Sequence, residues 1–209
     1  MSETTLSKPL VSAITPSFRM KKYLRLFLEW LPRQTIFNQI EVVLDHNEPT
    51  TEEIAWVREF QNRHPGRLKH IVVDKVDPIG TSMNRCIREA RAELLCIWNV
   101  DDLRPENSLE LQVAALQQST YDIASGNYIV VNKFGETKGR TVRHDHLSTE
   151  ELTRSMILGP FYMFRKSLIQ KSGYFDEQLR SGADFDLAIR LALHGQTTCI
   201  KKNRGILFG

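Results

Sequence analysis

No apolar run in this 209-residue chain reaches the roughly 18 residues that a membrane span requires, and its opening, MSETT, lacks the basic-then-apolar order of a signal peptide. Three cysteines occur, Cys86, Cys96 and Cys199, with no CxxC spacing. That count excludes a disulfide framework and a zinc ribbon, and suits a reducing, cytoplasmic setting. Charge of one sign is equally scarce: 28 Lys and Arg stand against 25 Asp and Glu, a net charge of +3, so the composition calls for no nucleic-acid partner. GxGxxG behind the first apolar segment, GxxxxGK[ST] and GxSxG are all missing. With them go the familiar glycine-rich phosphate cradles and the serine-hydrolase elbow. What is present is a globular composition, 41% hydrophobic and 25% charged, of a length expected to fold as a single domain over residues 1–209.

The apolar pattern alternates between strand and helix. Residues 10–15 (LVSAIT) form a short, partly β-branched run that Pro16 is expected to end. From Lys22, the residues Leu24, Phe27, Leu28 and Leu31 recur at i, i+3, i+4 and i+7, the stripe of an amphipathic helix stopped by Pro32. Its basic face could meet a membrane surface, but packing of the apolar stripe on a sheet explains the pattern better. Residues 40–44 (IEVVL) read as a second strand, and Thr50 with Glu53 has capping-box spacing ahead of a helix ending near His64. A third strand over 68–73, a helix over about 82–92 and a fourth strand over 94–98 continue the order. Strands separated by helices are expected to lie parallel, with helices on both faces of the sheet. Pro105 then opens a helix carrying Leu109, Val113 and Leu116, before a strand-like stretch over 121–131 broken by Gly126. Beyond it the pattern loosens: residues 133–148 are polar, 161–164 form a short apolar strand, and 184–194 read as a helix closed by Gly195.

In an open parallel sheet, ligands bind outside the carboxyl ends of the strands. The polar residues gather there: Thr15, Pro16 and Ser17 after the first strand, Asp45, His46 and Asn47 after the second, Asp74 after the third, and Asn99, Asp101 and Asp102 after the fourth. Each alone suits a turn, so their joint placement is the signal. The adjacent carboxylates Asp101 and Asp102 repel unless a cation or donors compensate, and such oxygen ligands suit Mg2+ or Mn2+ brought in on a diphosphate. If the strand stays extended, Asn99 and Asp101 share one face and Asp102 takes the other; alternatively, Asp102 caps the next helix. A second carboxylate pair, Asp184 and Asp186, falls in the first turn of the last helix. Asp186 has Arg190 four residues on as an ion-pair partner, whereas Asp184 has Ala188 there, which leaves it for chemistry or for capping. His144 and His146 flank Asp145, but no third metal ligand accompanies them.

Three segments together resemble one family, the inverting glycosyltransferases of family 2 with the GT-A fold. These are ITPSF with LRLFLEWLPRQT and EVVLDHNEPT; GTSMNRCIREARAELLCIWNVDD; and GPFYMFRKSLIQKSGYFDEQLRSGADFDLAIRLALHG. The resemblance runs from about residue 10 to residue 195. It implies a Rossmann-like, mostly parallel α/β sheet, with a nucleotide-binding half over about 10–104 and an acceptor-side half over about 105–209. It also implies that Asp45 accepts a hydrogen bond from N3 of uracil or thymine, with Thr15, Pro16 and Ser17 lining the base pocket and Asn84 bordering the nucleoside. Asp101 would hold Mn2+ or Mg2+ on the diphosphate, beside Asn99 and Asp102, and Asp184 would deprotonate the acceptor hydroxyl. The implied partners are a UDP- or dTDP-linked sugar and a carbohydrate or lipid-linked acceptor, in polysaccharide or glycan assembly, with at most peripheral contact to the inner face of a membrane. Two departures stand out: the family's DXD reads Asn99, Val100, Asp101, and its ED reads Ala183, Asp184. These, with the early end at Gly209, keep open a catalytically weak nucleotide-sugar-binding module, or part of a longer protein; a nucleotidyltransferase is the third reading.

Overall fold

The computed structural model describes residues 8–143 and 158–208. Four parallel strands, β1 (Val11–Phe18), β2 (Ile40–Asn47), β3 (Leu68–Val73) and β4 (Leu94–Ile97), stand in the order β3-β2-β1-β4. They are connected through α1 (Lys21–Trp30), α2 (Thr51–Arg63) and α3 (Ile79–Glu89). The second half adds α4 (Ser108–Gln117), β5 (Ile123–Val131), β6 (Arg140–Val142), β7 (Met163–Arg165), α5 (Ile169–Ser172), α6 (Ala183–His194) and β8 (Thr197–Phe208). One eight-stranded sheet takes strands from both halves: β7 joins β4 antiparallel, β5 follows it, and β8 runs parallel to β5.

Side-chain alternation along the strands divides the core in two. Val11, Ala13, Val42, Leu44, Cys96 and Trp98 face one cluster, which α1, α2 and α4 cover through Leu24, Phe27, Val57, Phe60 and Leu109. Ile14, Val43, Leu95 and Ile97 face the other, covered by α3 and α6 through Met83, Ile87, Leu187 and Leu191. Helices therefore lie on both faces, as the βα alternation predicts, and the carboxyl ends of β1, β2 and β4 are left to form a shared rim.

Two boundaries differ from the sequence reading for local reasons. β1 does not end at Pro16 but continues to Phe18, in register with Asp45 to Asn47 of β2. Pairing with β4 stops at Ile14, so Pro16 lies where one edge of β1 carries no strand, and its missing N–H costs the ladder nothing. Pro105 does not open α4; a turn through residues 106 and 107 intervenes and the helix starts at Ser108. The capping box of α2 forms as its spacing implies, with the Glu53 N–H donating to Thr50 Oγ1 at 3.2 Å and the Thr50 N–H donating to Glu53 Oε2 at 2.8 Å. His144 and His146 lie outside the described residues.

Candidate active site

A cleft of about 440 Å³ opens at the carboxyl ends of β1, β2 and β4. Pro16, Ser17 and Phe18 form one wall, Asn47, Asp77, Ile79 and Ser82 another, and Asn99, Val100 and Asp101 a third. Ser17 is buried and its hydroxyl has no hydrogen-bond partner among the described residues; Thr15 Oγ1, deeper in β1, is in the same state. Arg19 and Glu48, directly after β1 and β2, both take left-handed backbone with φ of 55° and 48°. Such conformations are uncommon for non-glycine residues and concentrate at functional rims.

Asp45 does not line this cleft. It is fully buried, with Oδ1 accepting from Asn47 Nδ2 at 2.7 Å and Oδ2 accepting from Arg85 Nη1 at 2.6 Å. Arg85, from α3, also pairs with Asp77, and that bond holds the Asp77 carboxyl below the usual carboxylate range. The Asp77 N–H donates to Asn47 Oδ1 at 2.8 Å, and Asn47 Nδ2 donates to Ser82 Oγ at 3.1 Å. A buried anion thus fixes, through one guanidinium and one amide, the groups that do face the cleft: Asn47, Asp77 and Ser82. Asn84 sits elsewhere as well. Its Nδ2 donates to the Phe175 carbonyl at 2.9 Å and to Glu177 at 2.7 Å, and its Oδ1 accepts from the Phe175 N–H at 2.9 Å, so it ties α3 to the 175–177 loop. Gly80 belongs to the same seam, since a Cβ there would meet the Asp176 carbonyl at 2.9 Å.

β4 ends at Ile97, and the chain turns through 100 and 101, with the Asp102 N–H donating to the Asn99 carbonyl at 3.2 Å. A turn, not an extended strand, therefore puts Asn99 and Asp101 on the cleft wall and Asp102 behind it. Asp102 is buried, accepts from Asn99 Nδ2 at 3.1 Å, and does not cap α4. Burial, and then the Asp101 charge, push its carboxyl up to about 7; burial also raises Asp101. Among the described residues no basic side chain pairs with Asp101, and none is among those lining the cleft. No group of three His, Cys, Asp or Glu among them forms a metal cage. This donor set fits a hard divalent cation that takes one carboxylate and an amide oxygen from the protein and its remaining ligands from a diphosphate and water. A diphosphate beside Asp101 otherwise meets like charge with no protein cation facing it.

A second cavity of about 260 Å³ adjoins the cleft and shares Asn99 and Ile79 with it. Met83, Ile97, Pro160, Phe175 and Ala183 give it an apolar floor, Asp184 and Asn99 supply polar groups, and Tyr162 borders it with its hydroxyl buried. Asp184 is exposed in the first turn of α6, while Asp186 is paired with Arg190 Nη2 at 2.5 Å, as the i,i+4 spacing implies. The departure at Ala183 has a packing reason, because this position is buried in the second core cluster. Thr15, Asp45, Asn84 and Asp102 therefore stand behind the two cavities, and Pro16, Ser17, Asn99, Asp101 and Asp184 on their walls. Asp77, Ser82, Arg85 and Tyr162 escape sequence reasoning. Asp77 before Pro78 reads as a turn residue, and Tyr162 sits inside an apolar run.

The family profile described as Glycosyl transferase family 2 matches residues 12–180. The chain is 25% identical to the chondroitin synthase of Escherichia coli, over 96% of its own length and 31% of that protein's. It is 22% identical to the hyaluronan synthase of Pasteurella multocida, over 93% and 21% respectively. It thus spans under a third of the length of either synthase. Among solved structures, S. aureus TarS residues 1–349 in complex with UDP superposes with a TM-score of 0.81 at 18% identity, covering 95% of this chain and 60% of that one. The mannosyltransferase PcManGT of Pyrobaculum calidifontis, in complex with GDP-Man and Mn2+, gives 0.70 at 18% identity, covering 96% and 57%. At these identities the structural likeness establishes the fold, which is the mixed α/β, mostly parallel GT-A arrangement.

Proposed function

Because the chain belongs to glycosyl transferase family 2, we propose that it transfers a sugar, with inversion, from a UDP- or dTDP-linked donor to a hydroxyl of a carbohydrate or lipid-linked acceptor, in polysaccharide or glycan assembly. The observation that carries this reading is the junction at Asn99 and Ile79, where a cleft walled by Asp101 meets a cavity walled by Asp184. The TarS structure containing UDP and the PcManGT structure containing Mn2+ agree with it. We place the activity in the cytoplasm, where buried Cys86 and Cys96, which form no disulfide, suit a reducing medium; membrane contact is at most peripheral. Among the described residues no helix is long and apolar enough to cross a membrane.

In this reading Pro16, Ser17 and Asn47 receive the nucleoside, and the N3–H of uracil or thymine meets the acidic wall at Asp77, which Asp45 steadies through Arg85. Asp101, with Asn99, would hold Mn2+ or Mg2+, whose charge offsets that of the departing diphosphate. Asp184 takes the proton of the acceptor hydroxyl as its oxygen bonds to the anomeric carbon. The bond from that carbon to the nucleoside diphosphate breaks on the opposite face, so one displacement inverts the configuration. Asp184 is the carboxylate among the described residues lining the sugar cavity, which leaves no second one there to form a covalent intermediate.

Calorimetric titration with UDP, dTDP, GDP and CDP tests the reading. UDP or dTDP is expected to bind more tightly with Mn2+ than without, and more tightly than GDP or CDP. Asp101→Ala should lose the Mn2+ increment and keep the metal-free affinity. Equal affinity for GDP and UDP, or an unchanged increment in Asp101→Ala, contradicts it.

A further inference from the structure

Tyr162 is 1% exposed, and its hydroxyl is buried without a hydrogen-bond partner among the described residues. A buried phenol normally finds a partner, and leaving one unsatisfied is unfavourable. Tyr162 lines the cavity that holds Asp184, and that cavity shares Asn99 and Ile79 with the cleft at Asp101. A sugar attached to a diphosphate at Asp101 has this cavity as its neighbouring space. The remaining lining is apolar, through Met83, Ile97, Pro160 and Phe175, and no Lys, Arg or His is among the described lining residues. The charged group there, Asp184, is an anion.

Resting on the donor reading above, we infer that this cavity seats the transferred sugar, that the Tyr162 hydroxyl hydrogen-bonds it, and that the sugar is neutral, a hexose or an N-acetylhexosamine, not a hexuronic acid. A uronate carboxylate would leave water for an apolar floor, beside Asp184, with no Lys, Arg or His among the described lining residues to meet it, whereas a neutral ring lays its C–H faces on Met83 and Phe175 and offers a hydroxyl to Tyr162. Burial and the Asp184 charge both raise the Tyr162 phenol, which keeps it protonated and able to donate. Its unsatisfied state without ligand is then the counterpart of a bond made when the sugar arrives.

The test is calorimetric titration of the wild type and Tyr162→Phe, in Mn2+, with UDP, UDP-glucose, UDP-N-acetylglucosamine and UDP-glucuronic acid. The variant removes one buried, unpaired oxygen and should keep or raise the thermal midpoint, so loss of fold does not confuse the result. UDP is expected to bind wild type and variant alike, while the tighter of the two neutral nucleotide sugars should weaken about 3- to 10-fold in the variant, the loss of one hydrogen bond. UDP-glucuronic acid is expected to bind wild type at least about tenfold more weakly than that neutral donor. If UDP binds equally and the neutral donor is also unchanged in Tyr162→Phe, or if UDP-glucuronic acid binds as tightly as the neutral donor, the assignment is overturned while the donor reading stands. If neither UDP nor dTDP binds the wild type, the donor reading itself fails and takes this inference with it.

Discussion

The base of the proposed transfer is Asp184 and not Asp186, two residues on. Both open α6, yet Asp186 is paired with Arg190 whereas Asp184 lines a cavity that shares Asn99 and Ile79 with the cleft at Asp101. A general base contributes on the order of 100- to 10,000-fold, so Asp184→Asn should lower turnover of a UDP-sugar by about that factor and leave the dissociation constant for UDP unchanged. Loss of turnover in Asp186→Asn at unchanged thermal stability, with activity kept in Asp184→Asn, would reverse the roles. Arg85 is a different case, because its partner Asp45 is wholly enclosed while Arg85 itself is 27% exposed. Removing the guanidinium leaves a buried carboxylate with Asn47 alone. Arg85→Ala is expected to cost about 2–4 kcal/mol in urea unfolding, toward the lower end for a broken buried pair because water can enter where the side chain was. A cost below about 0.5 kcal/mol would show that Asp45 is not held by this pair. Asp184 was legible as a candidate because its i+4 neighbour is Ala188. The Asp45–Arg85–Asp77 chain was not, since it joins residues 40 and 8 positions apart that only packing of α3 against β2 brings together.

At the scale of elements, local signals survived and long-range ones did not. The capping box at Thr50 and Glu53 needs four consecutive residues, so the sequence contains the whole interaction. The end of β1 depends instead on where β4 stops pairing, which no window around Pro16 contains. The seam between β2, β3 and α2 offers a test of how such packing acts. His46 Nδ1 lies 3.3 Å from His70 Nε2, and its Nε2 lies 3.7 Å from Glu53, with Asp45 and Arg58 nearby. Burial lowers both imidazoles, more than the carboxylates raise His46, and takes His70 to about 4 with help from the His46 and Arg58 charges. The unfolded chain therefore takes up protons before the folded one as pH falls below about 6.5, and stability is expected to be full above that value and to fall between about pH 6.5 and 4. Thermal midpoints measured across that range should fall less steeply in His70→Gln than in the wild type. Parallel slopes for the two proteins would mean that His70 is not the group responsible.

For the molecule as a whole, the βα order sufficed for the parallel half, because alternating strand and helix periods leave few arrangements open. The far side of the sheet was harder to read. The apolar pattern of β8 is broken by KKNR at residues 201–204, and its pairing with β5 shifts register between Gly126 and Asn127, so neither strand shows an unbroken alternation. That half nonetheless supplies α6 and Tyr162, and the cavity at Asp184 takes its lining from both halves, which one sheet joins. A single inverting displacement at the junction of the two cavities can be followed without knowledge of the natural acceptor. With water as acceptor, proton NMR can follow sugar release from whichever α-linked UDP-sugar the protein binds, before mutarotation equilibrates the product. The first sugar seen is expected to be the β anomer, and Asp184→Asn is expected to release it at least about 100-fold more slowly. Release of the α anomer first, or a rate unchanged in Asp184→Asn, would contradict the inverting displacement.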